Sequence, residues 1–276
     1  MKKISVIVCT KNRQEDLEAF IDSLNKQTEV PSEFIIVDAS FISYKNIYEN
    51  RLNLENCKFK YIHIPDSRGL TYQRNLGIKA SSCDILCFFD DDTILDENYI
   101  KILKESFETK EIIGFTGNII NEERKNKFLD FYNKLFLLTE FNNGDGRFKK
   151  SFFYNMPFSL SSKEKFVEFT PGCCMAFLRD KLIEAGSFDE DLVGYSTMED
   201  GDVSYRVSRL GKILYRNDAK IIHNKSKNER LNKKDYCTML LENHKYFYKK
   251  NIENNFLNNL AFHYSRFGLR LKMFLK

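Results

Sequence analysis

Four short apolar runs, rich in isoleucine, valine and phenylalanine, dominate the first third of the chain. Such runs are typical of strands buried on both faces of a parallel sheet. Between them, apolar side chains recur at helical spacing. The alternation of strand and helix favours βαβ units and a parallel sheet flanked by helices. The predicted strands are 4–9, 34–37, 61–64 and 84–89, and the predicted helices are 17–24 and 71–79.

Polar residues stand at the ends of these predicted strands. Thr10 follows the first strand, Asp38 follows the second, and residues 90–92, all aspartate, follow the fourth. Right-handed crossovers bring the carboxyl ends of parallel strands to one edge of the sheet, where open α/β sheets bind ligands. We therefore expect these side chains to lie together at a ligand-binding edge.

The second half of the chain has a less regular pattern. Residues 118–168 are aromatic, charged and interrupted by glycine, which is more typical of a specificity insertion than of a core. A helix is predicted from Glu199 through Arg209, with Gly211 as its cap. Short strands are predicted at 173–178, 212–215 and 219–222.

The composition argues against several classes of protein. The 276 residues carry 43 lysine and arginine against 39 aspartate and glutamate, and a net charge of +4 gives little reason to expect a nucleic-acid partner. Seven cysteines cannot form a complete disulfide framework, and reduced cysteine is typical of the cytosol. The sequence has neither a secretion-signal pattern nor a run of roughly 18 apolar residues. We expect a cytoplasmic protein.

The three consecutive carboxylates at 90–92 are the residues that most strongly indicate chemistry. Adjacent carboxylates repel one another, and burying them is costly unless a cation is present. Side chains alternate at a strand end, so Asp90 and Asp92 can point together while Asp91 points away. A hard divalent ion held by one or two carboxylates and by substrate phosphates fits that arrangement. A solvated acidic turn explains the same residues equally well.

Other polar residues each have a purely structural explanation. Asp38 suits a turn, and His223 suits the end of an apolar strand. Glu199 and Asp200 suit the start of a helix, where the helix dipole favours carboxylates. Their joint occurrence in one order along the chain is harder to explain by structure alone.

The ordered set of motifs resembles the family 2 glycosyltransferases, over residues 4–225. No single motif is decisive, but the order is specific. The resemblance implies the GT-A fold, a Rossmann-like α/β fold whose mixed, mainly parallel sheet is flanked by helices. The motifs are SVIVCTKNR at 5–13, IIVDAS at 35–40, GLTYQRNLG at 69–77, FFDDD at 88–92, PG at 171–172 and EDGDVSYR at 199–206.

The resemblance implies a donor site for a nucleotide-sugar, with UDP-, GDP- and dTDP-sugars as candidates. Thr10, Asp38 and Arg74 would line the nucleoside pocket. Asp90 would contact the ribose or the sugar, and Asp91 belongs to the same donor-binding set. These residues all precede position 117, so the first half of the chain would bind the donor.

The resemblance also implies metal-dependent transfer of a glycosyl group to an acceptor hydroxyl. Asp92 would bind Mn²⁺ or Mg²⁺ bridging the diphosphate, with His223 as a further metal ligand. Asp200 would be the general base, because a hydroxyl is a poor nucleophile until it loses its proton. Glu199 and Gly172 would lie on the acceptor side. In-line attack predicts inversion at the anomeric carbon.

We predict a glycosyltransferase domain at 1–225, made of a nucleotide-sugar half (1–117) and an acceptor half (118–225), and a basic helical extension at 226–276. From 254 onward the chain has no acidic residue, and apolar residues recur at helical spacing. This pattern is typical of an amphipathic helix on an anionic membrane surface, or of a helix packed on its own domain or on a second copy. The recurring residues are Leu257, Leu260, Tyr264, Phe267, Leu271 and Phe274.

Two other functions stay open. A nucleotidyltransferase also joins a parallel sheet to a carboxylate-bound metal, although residues 10–13 are not the glycine-rich phosphate loop that it normally carries. A catalytically inactive nucleotide- or carbohydrate-binding protein would have no use for Asp200 as a base. A dehydrogenase is disfavoured and a P-loop enzyme excluded, because neither GxGxxG after a strand nor GxxxxGKS/T is present.

The resemblance sets an expectation for the biological role as well. Cell-surface polysaccharide or glycolipid assembly is the expected setting, with a saccharide or lipid-linked acceptor. A peripheral position on the inner face of the membrane would suit a lipid-linked acceptor, and a homodimer is the alternative use of the C-terminal helix.

Overall fold

The computed structural model describes residues 2–122, 127–141, 144–157, 163–226 and 231–274. Small parts of the predicted insertion and of the predicted C-terminal extension lie outside the described residues. They are 123–126, 142–143, 158–162, 227–230 and 275–276.

The strands of the described residues form one mixed sheet. They are β1 (Ile4–Thr10), β2 (Glu33–Asp38), β3 (Lys58–His63), β4 (Ile85–Asp90), β5 (Thr93–Leu95), β6 (Ile112–Ile119), β7 (Glu164–Val167), β8 (Cys174–Leu178) and β9 (Lys212–His223). Their order across the sheet is β3-β2-β1-β4-β8-β6-β9-β5, and β7 pairs with β9.

The first four strands are parallel, as the alternation of strand and helix predicts. β1 pairs with β2 on one side and with β4 on the other. In this register Thr10 lies opposite Asp38, and Cys9 lies opposite Asp90. The carboxyl ends of the three strands therefore share one edge, so the predicted edge exists.

The remaining strands add antiparallel pairs. β8 runs antiparallel to β4 and to β6, whereas β6 and β9 are parallel. The prediction of two short strands at 212–215 and 219–222 was wrong, because both runs belong to β9. The polar residues between them occupy the place where the register of β9 against β6 shifts, so they interrupt the apolar pattern without ending the strand.

Helices cover both faces of the sheet. The structure ends α7 at Ser208 with Arg209 as its cap, so the predicted Gly211 cap was wrong. The helices are α1 (Gln14–Leu24), α2 (Lys45–Arg51), α3 (Leu70–Ala80), α4 (Tyr99–Ser106), α5 (Lys127–Leu135), α6 (Arg179–Glu184), α7 (Glu199–Ser208), α8 (Lys233–Asn251) and α9 (Phe256–Phe274).

Two apolar cores lie on opposite faces of the sheet. Alternation along β1 divides its side chains between them, since Val6 and Val8 face α1 and α4, whereas Ile7 faces α3 and α7. Both faces of the sheet are therefore covered by an apolar core, which explains why the strand sequences are continuous apolar runs.

The C-terminal helices pack through aromatic side chains instead. Phe247 and Tyr248 of α8 contact Phe152, and Tyr248 stacks on Phe262 of α9 with ring centroids 4.1 Å apart. Within the described ranges no helix is both long and apolar enough to cross a membrane. The predicted fold class, an α/β sheet flanked by helices with a helical C-terminal part, is confirmed.

Candidate active site

A cavity of about 900 Å³ opens where the carboxyl edge of the parallel strands meets the start of α7. Part of α8 completes its wall. Most of the predicted site residues line it, namely Thr10, Asp90, Asp91, Asp92, Glu199, Asp200 and His223.

Asp91 faces the side of the cavity formed by β1. The Thr10 hydroxyl donates to Oδ2 of Asp91 at 2.7 Å, and Nη1 of Arg13 lies 3.1 Å from Oδ1. Burial raises the pKa of Asp91 to about 7, although the charge of Arg13 and the bond from Thr10 act in the opposite direction. Asp91 therefore holds Arg13 and Thr10 in place at the rim of the cavity.

Asp90 and Asp92 both approach His223 of β9, whereas Asp91 contacts Thr10 and Arg13. Nε2 of His223 lies 3.0 Å from Oδ1 of Asp92 and 3.6 Å from Oδ2 of Asp90. The backbone N–H of Ser226 donates to Oδ2 of Asp92 at 2.8 Å. Because β4 ends at Asp90, the turn that follows places Asp92, and His223 joins two carboxylates distant from it in sequence.

The charges in this group support one another. Burial works to raise the pKa of Asp92, but the hydrogen bond and charge of His223, the Ser226 N–H and the charge of Arg13 lower it overall. Burial works to lower the pKa of His223, but the bond to Asp92 and the charge of Asp90 raise it overall. Asp92 is therefore an anionic carboxylate in a buried position, and a cation beside it stabilises its negative charge.

The donor set fits a divalent metal ion. One oxygen of Asp90, one ring nitrogen of His223 and Sγ of Cys173 all lie within 4.8 Å of one another, and Asp92 contacts the same imidazole. Carboxylate oxygens suit both Mn²⁺ and Mg²⁺, and imidazole nitrogen is a common ligand of transition metals. Sequence reasoning missed Cys173, because a cysteine beside Cys174 in an apolar strand carries no metal-binding pattern.

Arg74 lies below the cavity rather than in its wall. Its Nη1 donates to Oε1 of Glu199 at 2.8 Å, and its Nη2 lies 3.5 Å from Oδ1 of Asp90 and donates to the carbonyl of Gly172 at 3.2 Å. The residue is only 2% exposed. A contact of Arg74 with the nucleoside stays a prediction. Arg74 instead ties the aspartate end of β4 to the start of α7.

Glu199 and Asp200 line another part of the cavity, at the first turn of α7. Backbone N–H groups of Gly172 and Gly201 donate to the two oxygens of Asp200 at 3.2 and 2.7 Å, and the Tyr154 hydroxyl lies 3.3 Å from Oδ1. Burial raises the pKa of Asp200 above the ordinary carboxyl range, against the effect of these N–H groups. A carboxylate with a raised pKa is a stronger base at neutral pH.

Glu199 differs from Asp200 in its partner. Burial and the neighbouring charge of Asp200 raise the pKa of Glu199, while the Arg74 guanidinium acts against them. Arg74 engages Oε1 of Glu199, whereas both oxygens of Asp200 accept hydrogen bonds. The role of Asp200 as the base and that of Glu199 in orienting the site stay predictions.

Two predicted residues lie behind the cavity. Asp38 is fully buried, and its oxygens accept hydrogen bonds from the Ser40 N–H and the Tyr61 hydroxyl at 2.7 and 2.6 Å. A Cβ on Gly172 would meet Arg74 at 3.1 Å and Glu199 at 3.2 Å. A place for Asp38 in the nucleoside pocket, and one for Gly172 on the acceptor side, stay predictions. The missing side chain of Gly172 makes room for Arg74.

The loop before α7 is fixed from two directions. Gly69 approaches the backbone of Gly194 so closely that a Cβ would lie 2.4 Å from its nitrogen, and its φ of 138° suits glycine. Asn243 of α8 donates to the carbonyl of Thr197 at 2.8 Å. Met198 adopts a left-handed φ of 72° directly before Glu199, which is uncommon without glycine. The position of the acidic pair thus depends on both α3 and α8.

Several cavity residues had no signal in the sequence. Gln73 donates from Nε2 to the carbonyls of Thr10 and Val37, and so joins the ends of β1 and β2. The others come from the insertion and from α8, whose approach to the site no local pattern predicts. They include Tyr154, Met156, Lys233, Tyr236 and Leu240.

A sequence profile described as "Glycosyl transferase family 2" matches residues 5–185. The chain belongs to glycosyl transferase family 2. The match covers the strands that carry Thr10, Asp90, Asp91 and Asp92 but ends before Asp200.

Two curated relatives carry glycosyltransferase names. "Uncharacterized glycosyltransferase YwdF" of Bacillus subtilis is 28% identical over 127 residues, which are 45% of this chain and 45% of the relative. "Glucosyl-dolichyl phosphate glucuronosyltransferase" of Haloferax volcanii is 24% identical over 196 residues, 68% of this chain and 56% of the relative. The chain thus spans about half the length of these two family members.

A solved structure shows the same fold. "Mannosyltransferase PcManGT from Pyrobaculum calidifontis in complex with GDP-Man and Mn2+" aligns over 99% of this chain and 75% of its own, with a TM-score of 0.63 and 15% identity. The likeness confirms the GT-A fold that the family resemblance implies.

Proposed function

We propose that this chain is a metal-dependent glycosyltransferase that moves a sugar from a nucleoside diphosphate to an acceptor hydroxyl. The observation that carries the proposal is the placement of two acidic groups in one cavity, where the Arg74 guanidinium contacts both Asp90 and Glu199. Asp90, Asp92 and His223 form one group, and Glu199 and Asp200 form the other. A nucleotidyltransferase is less well supported, since the chain belongs to a glycosyltransferase family.

The first group suits the diphosphate of the donor. Asp92 and His223 would hold Mn²⁺ or Mg²⁺. A divalent ion there would neutralise the charge that builds on the departing diphosphate. Asp91, Thr10 and Arg13 lie on the adjoining wall, where the nucleoside would sit. The mannosyltransferase structure named above holds GDP-Man and Mn²⁺, which supports a nucleotide-sugar donor here.

The second group suits the acceptor. Asp200 would take the hydroxyl proton as the oxygen attacks the anomeric carbon, and the bond from that carbon to the diphosphate oxygen would break. Attack from the α7 side, opposite the leaving group, would invert the configuration. Glu199 would position the acceptor and, through Arg74, fix Asp90.

The acceptor wall is apolar as well as acidic. Met156, Tyr236 and Leu240 line the cavity beside Asp200. Aromatic side chains offer apolar faces with a polar tip, which suits saccharide rings. The name of the Haloferax volcanii relative includes a dolichyl phosphate, and on that basis we propose a saccharide or lipid-linked acceptor, in polysaccharide or glycolipid assembly.

A panel of nucleoside diphosphates tests the donor site. UDP, GDP, dTDP and CDP are added with and without Mn²⁺, and thermal unfolding is recorded. At about 100 times its dissociation constant, a bound nucleotide should stabilise the fold by roughly 2.7 kcal/mol. We expect one nucleotide to do so only with Mn²⁺, and the matching donor sugar to be turned over.

The variants define what the result means. Asp92→Ala should lose the metal-dependent stabilisation, whereas Glu49→Gln, an exposed carboxylate on α2, should keep it. Stabilisation without turnover of any donor would favour a catalytically inactive binding protein. No stabilisation by any nucleotide would contradict the proposed donor site.

A further inference from the structure

Four residues of the apolar stripe predicted in the last helix face solvent, whereas the side chain of Phe274 lies outside the described residues. Leu257, Leu260, Tyr264 and Phe267 are between 38% and 58% exposed, whereas Ala261, Phe262, Ser265 and Leu269 on the other side of α9 are buried. The helix is therefore apolar on both sides. Packing against its own domain accounts for the buried side only, so the predicted stripe has another purpose.

A second apolar stripe lies on α5. Phe128, Phe131 and Leu135, spaced for one helix face, are between 50% and 75% exposed. The same helix touches α9: the Tyr132 hydroxyl donates to the carbonyl of Gly268 at 2.7 Å. Two neighbouring helices thus each present large apolar side chains to solvent.

Phe136 connects the two stripes into one surface. Its ring stacks on Tyr264 with centroids 5.2 Å apart and lies 6.3 Å from Phe267. Because Gly268 has no side chain, Phe136 can approach the backbone of α9, where a Cβ would lie only 2.3 Å from its ring. The exposed apolar side chains of α5 and α9 are called the α5/α9 face below.

The charges beside this face are basic. Lys127 and Lys134 of α5 and Arg270 of α9 are exposed. The sequence of α9 contains no acidic residue, and Asp130, the acidic residue of α5, is partly buried. An apolar surface with cations at its margin matches the two layers of an anionic membrane, acyl chains below and phosphate head groups above.

We propose that the α5/α9 face binds the surface of an anionic phospholipid bilayer. The apolar side chains enter the boundary between head groups and acyl chains, and the basic side chains contact lipid phosphates. A second copy of this chain is a less suitable occupant, because the lysines and arginine of two copies would repel across the interface.

The surface lies close to the cavity. Leu240 of α8 lines the cavity and packs against the cluster that contains Leu269 of α9. A membrane-bound orientation would therefore place the acceptor wall near the lipid surface. Only this last step rests on the proposed function, and binding to a bilayer does not.

Co-sedimentation with vesicles tests the proposal. The full chain is mixed with phosphatidylcholine vesicles or with vesicles of phosphatidylcholine and phosphatidylglycerol. Leu260→Ser/Phe267→Ser removes two exposed apolar side chains, and Ile42→Ser, which is 62% exposed elsewhere, is the matched control. Light scattering gives the oligomeric state, and thermal unfolding shows whether each variant folds.

The expected result is binding to the anionic vesicles that weakens with added salt, because salt screens the basic side chains. The double variant should bind roughly tenfold more weakly at an unchanged melting temperature, and Ile42→Ser should bind as the native chain does. Absence of binding to anionic vesicles would overturn the proposal. So would a dimer that the double variant converts to monomer, since a second copy would then cover the face. Nucleotide stabilisation, measured in parallel, distinguishes this failure from failure of the proposed donor site.

Discussion

The two sides of the cavity are built in different ways. The proposed donor side consists of residues at the ends of β1 and β4, which parallel strand pairing holds at one edge. The proposed acceptor side consists of the first turn of α7, a loop held by Asn243 and a wall from α8. Pairing within the sheet fixes the first side, whereas contacts between loops and helices from distant segments fix the second.

This difference bears on how much each side can move. Strand register leaves little freedom for Asp90, whereas helices joined by loops can shift without disturbing the sheet. We infer that the proposed donor side tolerates less structural change than the proposed acceptor side.

The largest expected effect concerns the acceptor side alone. Asp200→Asn should lower kcat by about 10²- to 10⁴-fold, the usual contribution of a general base, while donor binding stays intact. Turnover of the donor sugar, measured beside nucleotide affinity, checks this. Equal losses in both quantities would mean that the two sides do not work separately.

A second variant removes the connection between the sides. Arg74→Met should destabilise the fold by about 3–5 kcal/mol, because it leaves Glu199 buried without its cation. Denaturation in urea measures the loss. Arg51→Met, which breaks an exposed ion pair with Glu18 and Asp22, should destabilise the fold much less. Similar losses of stability in the two variants would show that the Arg74–Glu199 ion pair contributes no more than an exposed ion pair.

The stability of the C-terminal helical part should depend on pH through His244 of α8. Its ring is buried against Phe153, its Nε2 donates to the carbonyl of Ser151 at 2.8 Å, and burial lowers its pKa to about 4. Below about pH 6.5, His244 binds a proton in the unfolded chain, whereas in the folded chain it stays unprotonated until about pH 4. The free energy of unfolding should therefore fall by roughly 3 kcal/mol as the pH falls through this window.

His244→Gln isolates this contribution, because glutamine can still donate to Ser151 but does not titrate. Unfolding between pH 7.5 and pH 4.5 should depend less steeply on pH in this variant. The exposed His263 provides the control, and His263→Gln should leave the slope unchanged. An unchanged slope in His244→Gln would show that His244 is not the group responsible.

The smallest effect tests whether α8 supports the acceptor loop. Asn243→Ala removes the hydrogen bond to Thr197, which is worth about 1 kcal/mol. The acceptor KM should rise by roughly fivefold, while the donor KM is unchanged. A rise in the donor KM instead would contradict the assignment of this loop to the acceptor side of the cavity.

The donor side could be predicted well from the sequence. Continuous apolar runs identify buried parallel strands, and the position of Asp90 after such a run fixes its place at the sheet edge. Strand geometry does not place Asp91 and Asp92, because β4 ends at Asp90 and a turn follows. Asp38 sits at the same edge but below the surface, because Tyr61 covers it from the neighbouring strand. Pairing of that kind has no local sequence pattern.

The acceptor side could be predicted only through the family resemblance. Tyr154 and Tyr236 reach the site from segments far from Asp200, through aromatic packing that no periodicity reveals. The stripe in α9 was visible in the sequence, but periodicity does not say whether an apolar stripe faces inward or outward. The other side of α9, which includes Phe262, is apolar and buried, and the exposed residues of the stripe therefore face outward.

Titration calorimetry with the nucleotide identified by the panel tests the central claim most directly. The claim is that Asp92 serves the donor and its metal while Asp200 serves the acceptor. We predict that Mn²⁺ tightens nucleotide binding in the native chain and in Asp200→Asn but not in Asp92→Asn. Loss of this tightening in Asp200→Asn, or its survival in Asp92→Asn, would contradict the assignment of the two acidic groups.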